Sequence, residues 1–270
     1  MDQNELSGDG WMKIGIFDSG IGGLSVLPAA RRALPTADIL YYADEEHVPY
    51  GEKTPEEILA YSMEAVDILV SMGARAIVVA CNTATSVAVS ALRAKYEAPE
   101  KNVPIIGMEP AVKKALDTCA EGRILVAATP VTVRGQKLKL LVDRYDTNKQ
   151  TDAIPMPGLV RLAEKGMFGT PEADEYIKNE IAHLDMSDYS ALVLGCTHFN
   201  YFKDSFRRVL PDHVSIVDGV EGTVRRLVSR LPDGEDGSGS VEFFISGKRS
   251  ESSEKFLKLI ERLEKMEEIK

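Results

Sequence analysis

The chain has 270 residues, 44% of them apolar, enough for a sizeable core in one large domain or two smaller ones. A formal net charge of −10 argues against a general nucleic-acid or membrane surface and leaves any carboxylate ligand to be captured by local donors. Three cysteines are too few for a disulfide scaffold, none has a CxxC partner, and no apolar run approaches the ~20 residues that span a bilayer, so the expected compartment is the reducing cytoplasm.

The chain opens on the polar run Met1-Asp2-Gln3-Asn4-Glu5 with no signal-peptide core. Residues 1–12 read as a flexible leader, with Met12 as an alternative start. Lys13–Phe17 is predicted as a strand, followed by the glycine-rich turn Asp18-Ser19-Gly20-Ile21-Gly22-Gly23 and a helix that Pro35 ends. Ala37–Tyr42 is a second strand. The loop Asp44–Lys53 carries Val48-Pro49-Tyr50-Gly51. From Pro55 to Met72, apolar residues at 58, 59, 63, 66, 69 and 70 follow the helical period, with Thr54 as the cap. A strand then runs into Cys81, a helix to Tyr96 and a strand over Val103–Gly107.

Glu109-Pro110 opens another helix, and Arg123–Ala128 is a strand ending in Ala-Thr-Pro-Val-Thr, residues 128–132. Helices are expected over Val133–Tyr145, Gly158–Gly166, 171–185, Asn200–Leu210 and Val220–Leu231, the last with Arg225, Arg226 and Arg230 on an exposed side. Strands are expected at Ala153–Ile154, before Cys196 and over Val214–Val217. Residues 232–240 form a surface connection. The strand Val241–Ile245 and a charged amphipathic helix to Lys270 close the chain. This alternation implies an α/β fold of mainly parallel sheets flanked by helices, with right-handed crossovers. Two similar domains are expected, one from 13–107 plus about 217–270 and the other from 108–216, with the active site in the cleft between them.

The division rests on a stretch that occurs twice. Residues 76–83 read Ala-Ile-Val-Val-Ala-Cys-Asn-Thr and residues 191–198 read Ala-Leu-Val-Leu-Gly-Cys-Thr-His. Each is a short buried-strand pattern that delivers a cysteine to the strand's carboxyl end, where open α/β sheets bind ligands. Two thiols in matching frames, each expected to be backed by a helix whose dipole lowers the thiol pKa, point to a pair working on one small molecule. Asn82-Thr83 and Thr197-His198 add donors suited to the carboxylates and ammonium of an amino acid, and His198 beside a thiol suits proton transfer. Asp18 is either a helix cap or catalytic, and the cysteine pair favours the catalytic role. Gly20-Ile21-Gly22-Gly23 only loosely matches a dinucleotide turn, since Ser25 stands where the last glycine belongs and Asp18 would repel a pyrophosphate. Cys119 has no polar constellation around it and reads as structural.

With these residues in view, the chain resembles the glutamate racemases of the aspartate/glutamate racemase family from about residue 13 to the C-terminus. The resemblance rests on Ile16-Phe17-Asp18-Ser19-Gly20-Ile21-Gly22-Gly23, Pro49-Tyr50-Gly51, Ala80-Cys81-Asn82-Thr83-Ala84 and Gly195-Cys196-Thr197-His198-Phe199. Related aspartate racemases typically carry histidine after Asn-Thr-Ala and glutamate after Gly-Cys-Thr; here those positions are Thr85 and His198. The resemblance implies Cys81 and Cys196 as proton carriers, supported by Asp18 and His198. It implies substrate contacts at Asp18, Ser19, Tyr50, Gly51, Asn82, Thr83, Thr197 and His198, with Thr132 as a further binding candidate. It also places a catalytic glutamate at Glu164, although Ile154-Pro155 stands where the family usually has Cys-Pro. The implied reaction is interconversion of L- and D-glutamate without a cofactor or metal, supplying D-glutamate for peptidoglycan. The expected partner is glutamate, with no nucleic acid and no membrane, and a homodimer is a candidate assembly. The alternatives are another cofactor-free amino-acid racemase, such as one for aspartate, or a non-catalytic amino-acid-binding regulator.

Overall fold

The computed structural model describes residues 13–119, 122–232, 237–251 and 253–269. The expected leader, residues 233–236 of the surface connection and Lys270 lie outside the described residues. The strands are β1 (Lys13–Asp18), β2 (Asp38–Ala43), β3 (Ala74–Val79), β4 (Ile105–Gly107), β5 (Arg123–Ala128), β6 (Thr151–Pro155), β7 (Tyr189–Gly195), β8 (Ser215–Asp218), β9 (Val241–Ile245) and β10 (Lys248–Arg249). The α-helices are α1 (Leu27–Ala33), α2 (Pro55–Ser71), α3 (Asn82–Tyr96), α4 (Val112–Thr118), α5 (Pro130–Arg134), α6 (Gln136–Tyr145), α7 (Pro157–Glu164), α8 (Pro171–Ile181), α9 (Lys203–Val209), α10 (Val220–Val228) and α11 (Glu254–Glu267).

The strands form two sheets, ordered β10-β9-β2-β1-β3-β4 and β6-β5-β7-β8. Every pairing is parallel except that of β10 with β9. The central strands are continuous runs of aliphatic residues because helices cover both faces of a parallel sheet. The first sheet therefore takes strands from both ends of the chain, with β9 beside β2, and the second takes its strands from the middle. One apolar core reaches under both sheets: Ile14 and Ile16 of β1, Leu125 of β5, and Leu192 and Leu194 of β7 share a cluster with Phe199, Phe202 and Phe256.

Local chemistry sets some helix ends. Thr54 and Glu57 form a reciprocal capping box at the start of α2, satisfying two otherwise unpaired amides. Several expected boundaries move. The helix over 133–145 starts earlier and splits at Gly135, which has extended backbone (φ −70, ψ 138). The helix over 171–185 stops at Ile181, and the chain then makes a 3-10 turn at Met186–Asp188. The helix beginning at Val220 ends at Val228, so Arg230 lies beyond it and pairs with Glu97 at 3.2 Å, while Arg225 and Arg226 are exposed as expected. The hairpin to β10 was not foreseen; Ser246 and Gly247 turn it with φ of 42° and 82°, the left-handed conformations that a tight two-residue hairpin requires.

Candidate active site

Parallel pairing brings the carboxyl ends of neighbouring strands to one edge. Asp18 is level with Ala43 across β1 and β2, and Ala128 is level with Gly195 across β5 and β7. Cys81 leaves β3 with extended backbone and caps α3, its sulfur accepting from the Ala84 amide at 3.4 Å. The Cys81 thiol donates to Ser19 Oγ at 3.5 Å. Asn82 Nδ2 donates to the Met108 carbonyl at 3.3 Å, whereas its buried Oδ1 has no hydrogen-bond partner among the described residues. Thr83 Oγ1 lies 2.8 Å from Thr129 Oγ1 and 3.5 Å from Thr132 Oγ1, a cluster of three hydroxyls where the two sheets meet.

Cys196 leaves β7 in the same way, but a 3-10 turn, Thr197–Phe202, follows it before α9 begins. The expected helix behind this cysteine is thus displaced, because the turn directs Thr197 and His198 at the first sheet. Thr197 Oγ1 donates to Asp18 Oδ1 at 3.0 Å. His198 places Nδ1 at 3.9 Å from Cys196 Sγ and Nε2 at 2.6 Å from Glu164 Oε1. The same glutamate oxygen accepts from the Ile21 amide at 3.0 Å. A continuous line thus runs from Cys196 through the imidazole and a carboxylate to the glycine-rich turn of the other sheet.

The glycines of that turn serve close packing. A Cβ on Gly22 would stand 2.6 Å from His198 Nδ1 and 2.7 Å from the His198 backbone nitrogen, and one on Gly20 would run into Glu164 Oε1. The glycines are needed because residues of the second sheet press directly against the turn. Two buried tyrosines hold its carbonyls: Tyr41 donates to Gly20 O at 2.7 Å and Tyr201 to Ile21 O at 3.0 Å.

Burial and charge shift several groups around the cleft. Burial pushes the Cys81 thiol up to about 12, and the neighbouring Asp18 charge adds to the shift. The lowering expected from the helix start is overruled, since desolvation of a thiolate outweighs one partial dipole charge. Burial likewise pushes Asp18 up to about 6, against the charge of His198 and the hydrogen bonds from Gly20 and Thr197. Asp18 makes no hydrogen bond to Cys81 in the structure and acts on it by charge alone. Burial opposes an imidazolium at His198, but the contacts with Cys196 and Glu164 prevail and hold its pKa well above the ordinary value. Burial raises Glu164 too, and the His198 hydrogen bond reverses that and leaves it below the usual carboxylate range. The pair is an imidazolium and a carboxylate. In that state Nδ1–H points at the Cys196 sulfur 3.9 Å away; once neutral, the same nitrogen can accept instead.

Of the residues singled out in the sequence, Asp18, Ser19, Cys81, Asn82, Thr83, Thr132, Glu164, Cys196, Thr197 and His198 lie at these strand mouths or on the elements packed against them. Tyr50 is fully buried nearby, its phenol donating to Asp44 Oδ2 at 2.6 Å, and Gly51 packs against Thr129. Both catalytic-candidate cysteines are almost sealed, 5% and 6% exposed. Cys119 caps the end of α4, away from this cluster. Thr129, Tyr41 and Tyr201 were not foreseen. Thr129 had a signal in its Thr-x-x-Thr pattern after a strand, whereas the tyrosines look like any aromatic core residue. Among the described residues, no group of three or more His, Cys, Asp or Glu side chains is placed to hold a metal ion, and no helix is long and apolar enough to cross a membrane.

Comparison with known proteins places nearly the whole chain among relatives. A glutamate racemase from Campylobacter curvus is 51% identical over 271 aligned positions, covering 96% of this chain and all of that protein. One from Lachnospira eligens is 48% identical with the same coverage. The crystal structure of Escherichia coli glutamate racemase in complex with L-glutamate and the activator UDP-MurNAc-Ala superposes with a TM-score of 0.80 at 28% identity, covering 94% of this chain and 95% of that one. The profile of the Asp/Glu/hydantoin racemase family matches residues 25–227. The chain belongs to that family.

Proposed function

We propose that this racemase interconverts L- and D-glutamate by carrying the α-proton between Cys81 and Cys196, with no cofactor. The observation that carries the reading is the pair of thiols at facing strand mouths, each with its own proton-handling neighbours: Ser19 and Asp18 beside Cys81, His198 and Glu164 beside Cys196. Inverting a carbon centre requires removing a proton from one face and returning one to the other. A single base would have to cross the substrate, whereas two opposed thiols reach both faces. Cys196, with the His198 imidazole beside its sulfur, takes the proton from one enantiomer while the Cys81 thiol gives one to the opposite face. The reverse reaction starts with the protons exchanged, and Asp18 is the nearby group whose protonation changes near neutral pH.

The polar groups at the mouths suit an amino acid. The orphaned Asn82 Oδ1 and the Asp18 carboxylate accept from its ammonium, and the hydroxyls of Thr83 and Thr132 donate to its carboxylates. Because both thiols are sealed, substrate enters only when the second sheet moves away from the first. The two sheets thus act as the cores of two domains about the crossings after β4 and β8. Such closure also excludes water from a carbanion that water would protonate. The product serves peptidoglycan synthesis, and two catalytic thiols that must stay reduced suit the cytoplasm.

Heavy water provides the test. In initial turnover, solvent deuterium should enter the product enantiomer much faster than the recovered substrate, because each face has its own base. Cys81→Ser and Cys196→Ser should each lose racemisation almost entirely. A glutamate analogue with a leaving group beside the α-carbon needs only deprotonation, so each variant should process one enantiomer of it. Racemisation at near wild-type rate by either variant would overturn the two-thiol route.

A further inference from the structure

We propose that Asp44 is a positioning residue for this reaction: from the end of β2 it holds the Tyr50 phenol, and so fixes the Tyr50-Gly51 backbone at the edge of the cleft. The inference rests on the glutamate reading for its kinetic consequence, and on the geometry alone for its structural one. Asp44 is the first residue beyond β2, so it stands at a strand mouth beside the catalytic candidates. Its amide donates to the Asp18 carbonyl at 3.1 Å, which ties it to the neighbouring mouth. Its carboxylate is buried, with only 4% of the residue exposed, and its partners are Tyr50 and His47 of its own loop and, at 3.4 Å, the Ser246 hydroxyl of the β9–β10 hairpin. Tyr50 OH donates to Oδ2 at 2.6 Å, and His47 Nδ1 lies 2.9 Å from both oxygens. His47 is held in turn by stacking on Tyr61 at 3.8 Å.

What the loop does next makes this anchor matter for substrate. The Tyr50 ring packs beside Phe17 and Tyr61, with centroids 6.2 and 6.0 Å away, and belongs to the same buried cluster as Cys81. Gly51 then passes so near the second sheet that a Cβ would stand 2.8 Å from Thr129 Cβ, and Glu52 pairs with Arg161 of α7. The loop therefore starts on the first sheet and ends against the second. A buried carboxylate accepting a short phenolic hydrogen bond is the rigid point from which that span is measured. Without it the phenol has no partner, and the Tyr50-Gly51 backbone is free to drift from the place where it meets substrate.

Asp44→Asn and Tyr50→Phe, singly and together, test this. Each single variant should raise the KM for glutamate by about tenfold, the scale of one lost charge-assisted hydrogen bond, with kcat changed by less than about threefold. The double variant should be no worse than the worse single one, because both remove the same bond. Amide hydrogen exchange over residues 50–53 in the ligand-free protein should speed up in both singles. Tyr50→Phe leaves the buried carboxylate paired with His47, so it remains informative if Asp44→Asn folds poorly. Unchanged exchange in a folded variant, KM within twofold of wild type, or single effects that multiply in the double would each overturn the proposal. A wild-type protein that ignores glutamate would instead sink the functional reading, since the exchange experiment needs no substrate.

Discussion

Glu164→Gln is the sharpest test of the line from Cys196 to the glycine-rich turn. The substitution keeps shape and leaves an oxygen to accept from the Ile21 amide, so the turn stays anchored, but it removes the charge facing His198. The contact is short, 2.6 Å, and its side chains are only 2% and 19% exposed, so solvent screens it little. Replacing a charged hydrogen bond by a neutral one costs about 2 kcal/mol in the transition state, which is about 30-fold in kcat/KM. The two enantiomers have equal free energy, so kcat/KM must fall by the same factor in both directions, and any asymmetry can appear only in the separate kcat and KM values. The sign of the pH effect is also set. Glu164 helps to hold the His198 pKa up, so the alkaline limb of kcat/KM that reports loss of the imidazolium should move to lower pH in the variant. Circular dichroism of L- and D-glutamate solutions across pH measures all of this. A variant within twofold of wild type with an unmoved alkaline limb would refute the relay.

Other consequences can be measured with the same protein. Asp18 becomes an anion only above about pH 6, so kcat/KM should fall with unit slope below that pH, a limb that reports the free enzyme. The folded carboxyl binds its proton more tightly than the unfolded one. The stability it contributes is therefore fully present below 3.8 and is lost as pH rises through about 6, so thermal melts of wild type against Asp18→Asn should show wild type losing ground across that window. Gly22→Ala should lower activity by more than about tenfold, because the new Cβ meets the His198 backbone 2.7 Å away and must push the two sheets apart. Near-normal turnover in that variant would show that the close approach is not needed.

Much of this molecule was legible in the sequence. The runs before Cys81 and Cys196 could be placed as central strands because a buried parallel strand leaves an unbroken aliphatic signature. The pairing of β9 with β2 was only open to conjecture, since nothing local in Val241–Ile245 says which edge it joins. The break of the 130–145 helix at Gly135 and the 3-10 turn after Cys196 were missed for a related reason. Both depart from local periodicity to satisfy contacts made by distant residues. Asp44, Tyr41 and Tyr201 carry no signal of their own, since nothing local distinguishes them from other loop or core residues.

By itself the sequence determined the residue types and the strand mouths to which they are delivered, because side-chain periodicity and turn chemistry are local properties. The tertiary structure decided their relations. It set Glu164 rather than solvent against His198, and Thr197 rather than Cys81 against Asp18, and it turned a glycine-rich loop into the surface on which a second sheet rests. It also reversed the expected pKa of Cys81. That value depends on how much water and which charges surround the sulfur, and these are properties of the closed fold rather than of the residues beside it in the chain.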